Sequence, residues 1–290
     1  MPQLPVQCNT LFHGMPARRL SLTDGSTAIV TPFGAQVLSW IPACSGERLY
    51  MSPLADLTGR NAIRGGVPVI FPQFADRGPL RRHGFARTAE WELVSVAQNP
   101  DTPEDGMASA TLRLGATPAT RQEWPHEFQA TMVVTLTRGQ LRMALQVRNE
   151  GSSTLQFTSA LHTYLRVGDI DSVSLTGLAG SRVLGTAADT ARVTAPELTI
   201  DGEIDTVFLE AQRPLLLTDG HHAIGVAAQG FPDVVVWNPG ERGSRALDDM
   251  PDNGYRHMLC VEAAAIGQPI ELAPGALWEG SQTLMTLDAG

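Results

Sequence analysis

The stretch FQATMVVTLTRGQLRMALQVRN, residues Phe128 to Asn149, decides the fold class. In its second half, the apolar residues at odd positions from Leu141 onward alternate with Arg142, Ala144, Gln146 and Arg148. A period of two is that of a β-strand with one buried face and one wetter face. Because a short Gly-containing connection at 138–140 joins the two halves, the stretch predicts an antiparallel hairpin of strands 128–137 and 141–149.

Short β-rich runs broken by Gly, Pro, Asn or Asp continue on both sides of this hairpin, and no long helical periodicity interrupts them. That pattern is typical of a β-sandwich or barrel. Residues 1–24 show only a possible edge strand, and the polar stretch 241–255 predicts a long loop of the kind that often serves function. All-β folds of this size are often single domains, so we predict one all-β domain over residues 1–290.

The composition excludes several classes of function. A net charge of −9 and a pI near 5.2 argue against a nucleic-acid or anionic-membrane partner, since both require a basic face. Every basic residue is Arg, which excludes Schiff-base and P-loop chemistry because both need a lysine amine. The dinucleotide, serine-hydrolase and zinc-protease motifs G-x-G-x-x-G, G-x-S-x-G and H-E-x-x-H do not occur.

The cysteines and the N-terminus bear on location and on metals. Cys8, Cys44 and Cys260 are few and widely spaced, which favours a reducing compartment over a disulfide framework or a zinc site. A possible calcium loop that starts at Asp201 has Thr206 where the required glycine belongs. No run approaches membrane-spanning length, and the N-terminus lacks a secretory pattern. We therefore expect a soluble cytoplasmic protein without a metal, a membrane partner or a nucleic-acid partner.

Residues 64–91, here called the arginine segment, are the most unusual part of the chain. Gly65, Gly66 and Gly84 permit backbone conformations that side chains forbid, and three prolines add rigidity. The segment holds five arginines, where an even spread of basic residues would give about two. They are Arg64, Arg77, Arg81, Arg82 and Arg87. Guanidinium groups aimed at one point bind a phosphate or carboxylate, whereas charged loop residues elsewhere form a solvated surface. Both interpretations stay open, with Arg77 and Arg81 as the expected bystanders.

Two titratable side chains stand out on the predicted strands. In 154–164 the alternation places His162 on the polar face, and in 257–264 it makes Glu262 the lone acid in an apolar row. Burial raises the pKa of a carboxyl group toward the range in which an imidazole titrates, so the two together would form a general acid and base. A structural histidine and a structural glutamate within a sheet would give the same pattern.

Six motifs, taken in order, resemble the landmarks of hexose-6-phosphate mutarotases in the aldose 1-epimerase family. The likeness extends from about Gly34 to Gly280, and the common order makes it specific. The motifs are Arg64-Gly-Gly-Val-Pro-Val-Ile-Phe-Pro-Gln-Phe74, His83-Gly-Phe-Ala-Arg87, His162-Thr-Tyr-Leu165, Gly202-Glu-Ile-Asp205, Val236-Trp-Asn-Pro239 and Leu259-Cys-Val-Glu262.

This resemblance implies a large antiparallel β-sandwich of the galactose-mutarotase type that needs no cofactor. It implies that His162 is the general acid that protonates the ring oxygen. Glu262 would be the base that takes the proton of the anomeric hydroxyl, from the other side of the sugar ring. Opening of the ring, rotation of the aldehyde and closure would then interconvert the anomers.

The resemblance also implies a set of residues that bind the substrate. Arg64 and Arg87 match phosphate-binding arginines, Asp205 matches a residue that holds sugar hydroxyls, and His83 lies beside the site. Arg82 is a departure, because many family members have a small polar residue there. It either strengthens phosphate binding or alters which sugar fits, and we include it among the substrate-binding residues.

We therefore expect a monomeric mutarotase for a sugar phosphate, with glucose 6-phosphate as the first choice. Two alternatives stay open at this point. One is a mutarotase for unphosphorylated aldoses such as galactose, for which the arginine segment would be a surface feature. The other is a non-catalytic sugar-phosphate-binding protein that kept the sandwich and lost turnover.

Overall fold

The computed structural model describes residues 8–99, 106–185, 192–211, 214–220 and 222–287, and within them the chain is mostly β-strand. The strands in chain order are β1 Asn9–Phe12, β2 Met15–Ser21, β3 Thr27–Val30, β4 Val37–Ile41, β5 Val69–Ile70, β6 Glu92–Asn99, β7 Met107–Gly115, β8 Phe128–Thr137, β9 Gln140–Asn149, β10 Leu155–Leu161, β11 Tyr164–Arg166, β12 Ser174–Thr176, β13 Arg182–Val183, β14 Glu197–Thr199, β15 Ile204–Leu209, β16 Leu215–Thr218, β17 Ala223–Gln229, β18 Asp233–Asn238, β19 Met258–Leu272 and β20 Leu277–Leu287. The helices are α1 Pro118–Glu123 and α2 Gly240–Arg245, with 3₁₀ turns at Ala86–Thr88, Ile170–Ser172 and Gly254–His257. None of these described helices is long and apolar enough to cross a bilayer.

The strands form three antiparallel sheets. A nine-stranded sheet has the order β14-β12-β16-β17-β20-β9-β8-β7-β6. A seven-stranded sheet has the order β13-β15-β18-β19-β10-β5, with β11 paired to β19, and β1 to β4 form a separate meander. Residues 1–24, expected to hold one edge strand, thus supply two strands of that meander over their described part. The fold is the predicted large antiparallel β-sandwich.

The predicted hairpin lies in the nine-stranded sheet. Strands β8 and β9 pair from Phe128 opposite Asn149 to Thr137 opposite Gln140, and Gly139 takes a positive φ of 65° in the turn. Alternate residues of β8 are buried along its whole length, as a period of two requires. The hairpin prediction is confirmed to within one residue.

The main hydrophobic core is shared by the two large sheets. Its side chains project inward from both, so each sheet covers the apolar face of the other. From the nine-stranded sheet come Leu112, Met132, Leu145, Leu217 and Leu284, and from the seven-stranded sheet Leu161, Phe208, Val236, Leu259 and Val261. From Leu259 to Ala265 the odd-numbered residues of β19 point into this core, so the even-numbered residues there, Glu262 among them, lie on the outer face of the seven-stranded sheet.

The strand predicted over 154–164 is interrupted. β10 ends at Leu161 and β11 begins at Tyr164, so His162 lies in the break and not within a strand. The reason is a change of partner: His162 N donates to Pro68 O at 3.0 Å, and Thr163 N donates to Leu161 O at 2.9 Å. The backbone at this point thus bonds to the arginine segment.

The arginine segment is irregular, as predicted, and contains two short elements. Its residues Val69 and Ile70 form β5 at the edge of the seven-stranded sheet, and Ala86–Thr88 is a single 3₁₀ turn. Gly84 has a φ of 66°, and a Cβ at that position would lie 2.2 Å from the Phe71 carbonyl oxygen. Only glycine fits there, which fixes the path of the chain next to His83.

The predicted loop 241–255 is partly helical, which corrects that prediction. α2 covers Gly240–Arg245 and a 3₁₀ turn begins at Gly254. Asn238 Oδ1 accepts from Gly240 N at 2.9 Å, and Arg245 pairs with Glu241 one turn earlier at 2.6 Å. A helix of six residues is too short to show a period in the sequence.

Candidate active site

The two expected catalytic side chains lie opposite each other in one sheet. Strand β19 pairs with β10 as far as Leu161 opposite Ala263, and with β11 from Tyr164 opposite Cys260. Both ladders share one register, so His162 faces Glu262 across the break. His162 Nε2 lies 3.4 Å from Glu262 Oε1, and the two side chains are 10% and 2% exposed. We call these two residues the acid–base pair.

The spacing within the pair differs from the expected one. The resemblance implied a carboxylate and an imidazole on either side of a sugar ring, whereas the two groups are in direct contact and leave no such gap between them. The reason is the common register, which puts both side chains on one face of adjacent strands. The pair thus forms part of one wall of a cavity.

Aromatic rings enclose His162. Its imidazole stacks on the ring of Tyr164 with centroids 4.8 Å apart and an interplanar angle of 11°, and Trp237 meets it edge-on at 5.9 Å. The imidazole of His83 approaches at 5.7 Å. These contacts restrict rotation of the His162 ring.

Burial shifts both members of the pair toward their neutral forms. It raises the pKa of Glu262 well above its ordinary value, with a further increase from Asp205. It lowers the pKa of His162 well below its ordinary value, and the neighbouring side chains of His83, Arg64 and Arg87 lower that pKa further. His162 Nδ1 and Glu262 Oε2 are buried and lack a hydrogen-bond partner among the described residues. Without a ligand, burial therefore favours a neutral carboxyl group on Glu262 and a neutral imidazole on His162.

Arg64 is held in place by two neighbours. Its Nε donates to Asp249 Oδ1 at 3.0 Å and its Nη1 to the Tyr164 hydroxyl at 3.1 Å, while its guanidinium lies 5.9 Å from the centroid of the Trp237 ring. Burial acts to lower the pKa of Arg64, but Tyr164 and Asp249 outweigh it and raise that pKa above its ordinary value. Arg64 is thus a fixed cation.

Arg87 lacks a carboxylate partner among the residues that the structure describes. Its Nη2 donates to the Arg82 carbonyl at 3.2 Å, and burial, with the charges of Arg64, Arg82 and Arg81, lowers the pKa of Arg87. Arg82 pairs with Asp76 at 2.5 Å, and its side chain is 59% exposed. Arg64 and Arg82 thus each have a carboxylate partner, Asp249 and Asp76, whereas Arg87 has none within ion-pair distance among the described residues.

His83 is neutral and oriented. Burial and then the charges of Arg87, Arg82 and Arg64 lower the pKa of His83 to about 3. Its Nδ1 accepts from Ala75 N at 3.2 Å, so the proton of the neutral ring is on Nε2. His83 is thus a hydrogen-bond donor for a ligand.

One cavity of about 350 Å³ contains all seven residues that the sequence singled out, and its size is that of a small-molecule site. We call it the site cavity. It is lined by Arg64, Arg82, His83, Arg87, His162, Asp205 and Glu262, together with Phe74, Ala75, Trp237 and Leu247. The expected bystanders lie outside this lining, and Arg81 pairs with Glu123 at 3.0 Å.

Sequence reasoning missed three residues of the site. Trp237 was one of several tryptophans with no distinguishing signal, whereas Trp40 and Trp91 are fully buried in the core. Tyr164 belongs to the motif of His162 but carried no assigned role. Asp249 lies in the polar stretch that was expected to be functional, and that expectation was its only signal.

The described side chains provide few ligands for a metal ion. Among the described residues, no group of three or more His, Cys, Asp or Glu side chains is arranged to hold an ion. The site cavity instead combines cations, neutral imidazoles and one buried carboxyl group, a set that suits an anionic organic ligand.

A family profile described as "Aldose 1-epimerase" matches residues 18–285. The chain belongs to the aldose 1-epimerase family. A relative from Cenchrus ciliaris, named "Putative glucose-6-phosphate 1-epimerase", is 35% identical over 257 residues, which are 86% of this chain and 78% of the relative. This member of the family is therefore an isomerase of the mutarotase type.

Solved structures agree with this membership. A crystal structure from Salmonella typhimurium, described as that of a "putative mutarotase", has a TM-score of 0.85 and 28% identity and covers 96% of this chain and 92% of its own. A galactose mutarotase-like protein from Clostridium acetobutylicum has a TM-score of 0.73 at 14% identity, covering 96% and 97%, and shows that the fold is shared.

Proposed function

We propose that this epimerase interconverts the α and β anomers of a hexose 6-phosphate, with glucose 6-phosphate as substrate. The observation that carries the choice of a phosphorylated sugar is the guanidinium group of Arg87, which has no carboxylate partner among the described residues and lines the same cavity as the fixed cation Arg64. A phosphate group carries about −1.5 to −2 charges at neutral pH and accepts from planar guanidinium groups. It would pair with the guanidinium group of Arg87 and offset the like charges of Arg64 and Arg82, which together with burial lower the pKa of Arg87.

The position of the acid–base pair suits ring opening. The ring oxygen and the anomeric hydroxyl of a pyranose are bonded to the same carbon, so two proton-transfer groups that serve them must lie close together. Nε2 and Oε1 are 3.4 Å apart on one wall of the site cavity. In the proposed reaction Glu262 takes the proton of the anomeric hydroxyl while His162 protonates the ring oxygen. The C–O bond breaks, the aldehyde face rotates, and the two transfers reverse to close the other anomer.

The proposed roles require a carboxylate at Glu262 and a protonated imidazole at His162. Without substrate, burial favours the neutral form of both groups. The arginine charges are one cause of the low pKa of His162. A bound phosphate dianion would offset those charges, so proton transfer from the carboxyl group to the imidazole becomes easier. Each positioned transfer then contributes roughly 10²- to 10⁴-fold to the rate.

The remaining residues of the site cavity have proposed roles in binding. Arg64 and Arg87 would hold the phosphate, with Arg82 at its exposed edge. His83 would donate a further hydrogen bond to the ligand from Nε2. Asp205 on β15 would accept from sugar hydroxyls. No cofactor is required, because neither a redox change nor a stable covalent intermediate occurs. A cytoplasmic location, a monomeric state and a single domain over 1–290 remain parts of this proposal.

The test is magnetisation exchange between the anomers by NMR, measured with glucose 6-phosphate, glucose and galactose. We expect the protein to accelerate exchange of the phosphate ester only. Faster exchange of the free sugars would instead support a free-aldose mutarotase, and saturable binding of glucose 6-phosphate without faster exchange would support a sugar-phosphate-binding protein. His162→Ala or Glu262→Ala is expected to abolish the acceleration with an unchanged far-UV spectrum, and full turnover in either variant would refute its assigned role.

A further inference from the structure

A buried glutamine lies behind the acid–base pair, on the other sheet. Gln282 is in the middle of β20 and is 1% exposed. Its cross-strand partners are Met143 and Ala228, and Leu284 follows on the same inward face. A side-chain amide among apolar neighbours costs free energy unless both of its ends are hydrogen-bonded. Its position in the sandwich core therefore needs an explanation.

Both ends of this amide bond to the opposite sheet. Gln282 Oε1 accepts from the Thr163 hydroxyl at 2.5 Å, and Nε2 donates to the Val261 carbonyl at 2.9 Å. A backbone carbonyl can only accept, so the Val261 contact fixes which end of the amide is nitrogen. The two residues that Gln282 holds are the chain neighbours of His162 and Glu262.

The bonds of Gln282 lie where the sheet ladder is incomplete. Between Leu161 and Tyr164 the regular pairing with β19 is incomplete, because Thr163 N bonds to Leu161 O and not to Val261 O. Across the break, the backbone bond that remains is the one from Val261 N to Thr163 O, at 3.0 Å. The Gln282 amide adds two bonds from a third strand to these same two residues.

We propose that Gln282 is a positioning residue that fixes the distance and orientation between His162 and Glu262 by holding Thr163 and Val261 from the opposite sheet. It does not touch the substrate. Its effect is on the geometry of two proton transfers, and a misplacement of about 1 Å in such a geometry can reduce a rate by about 10²-fold. Substrate binding through the arginines, which lie on another segment, is unaffected.

Gln282→Met tests this role because methionine has a similar length and volume but cannot replace either hydrogen bond. We expect kcat for glucose 6-phosphate anomer exchange to fall by about 10- to 100-fold. KM should change by less than about threefold, since a residue that acts only on the chemical step leaves ground-state binding intact. Thr163→Val removes one of the two bonds with little loss of volume, and we expect a smaller decrease in kcat.

Asn149→Leu is the matched control. Asn149 is also 1% exposed, and its Nδ2 donates to the carbonyls of Ser153 and Leu272, both at 2.8 Å, but it does not line the site cavity. We expect it to lower the midpoint of urea unfolding at least as much as Gln282→Met while kcat stays within about twofold. Equal losses of kcat in the two variants, or a rise in KM with unchanged kcat in Gln282→Met, would overturn the proposal.

The proposal rests on the proposed function for its substrate, so a readout without substrate separates the two. In ¹⁵N spectra of the imidazoles, Gln282→Met should move the His162 ring signals and shift its titration, whereas Asn149→Leu should leave both unchanged. If wild-type protein does not accelerate anomer exchange, the proposed function fails and this readout still decides the positioning role. Unchanged His162 signals in Gln282→Met and Thr163→Val would refute it.

Discussion

Replacing Arg87 by glutamine removes one of the three guanidinium groups that line the site cavity. The guanidinium lacks a carboxylate partner in the described part of the chain, and burial together with Arg64, Arg82 and Arg81 lowers its pKa, so the folded protein gains little from it. A phosphate ester bound there would lose a charge-assisted hydrogen bond, which contributes about 1.5–3 kcal/mol. At about 1.4 kcal/mol for each factor of ten, kcat/KM for glucose 6-phosphate should fall about 10- to 150-fold.

That loss should be in KM, because the phosphate is remote from the carbon that reacts and is held equally in the ground state and the transition state. Stability should stay constant or increase in Arg87→Gln, since a cation among like charges has been removed. Two assays check this: anomer exchange as a function of substrate concentration, and thermal unfolding with and without inorganic phosphate. Phosphate should raise the unfolding temperature of the wild type, as a ligand of the folded state does, and raise that of the variant much less.

Arg81→Gln is the matched control, because Arg81 lies in the same segment, pairs with Glu123 and is half exposed. It should leave KM within about twofold of the wild type because Arg81 does not line the site cavity, and loss of its exposed ion pair should change stability by only about 0–1 kcal/mol. The assignment of Arg87 would be refuted if kcat fell while KM stayed constant. It would also be refuted if Arg81→Gln raised KM as much.

Two further predictions concern buried carboxyl groups. The pKa of Glu262 is higher in the folded protein than its value of about 4.3 in the unfolded chain. Between these two values the native state holds a proton that the unfolded chain releases. The free energy of unfolding therefore falls as the pH rises through this range. Glu262→Gln should therefore unfold at a higher temperature than the wild type, by a margin that grows between about pH 5 and pH 8 in thermal scans, and a shrinking margin would contradict the raised pKa. Asp233 Oδ2 accepts from the backbone nitrogens of Ile266 and Gly267 at 2.9 and 2.8 Å. Asp233→Asn should lose about 1–3 kcal/mol of unfolding free energy in urea titrations, and an unchanged midpoint would show that these bonds do not matter.

Local patterns predicted which face a side chain occupies but not which residue it meets. The period of two in β19 correctly separated the core face from the face that carries Glu262, since the pleat of a strand is a local property. The same pattern could not predict the register in which β19 pairs with β10. Between Phe157 and Ser159 the pairing of β10 with β19 shifts, as four residues of β19 from Ile266 to Pro269 lie opposite Thr158 alone. Asp233, on a third strand, bonds to the start of that bulge, and no local pattern shows this contact.

For the arginines of the site, too, the sequence predicted the local conformation but not the contacts with distant residues. Glycines and prolines predicted an irregular arginine segment, and the positive φ values of Gly65, Gly66 and Gly84 agree with the conformations expected there. Which arginine is already paired depends on distant residues. Asp249 lies 185 positions from Arg64, and composition could not show that it holds Arg64 or that Arg87 lacks such a partner within the described part of the chain. The missing carboxylate is a property of the folded chain alone.

The two halves of the site are therefore built from different kinds of structure. Glu262 lies on β19, and His162 lies in the break between β10 and β11, whose common register with β19 keeps Nε2 and Oε1 3.4 Å apart. The guanidinium groups come from the arginine segment, an irregular stretch at the edge of that sheet. A ladder within a close-packed sandwich shifts little when a surface loop changes. The reaction and the choice of sugar substituent are thus separable: substitutions at Arg82 and Arg87 should alter which aldose binds without moving the pair. Substitutions at Gln282 or in the β19 bulge should change the rate for every aldose that binds.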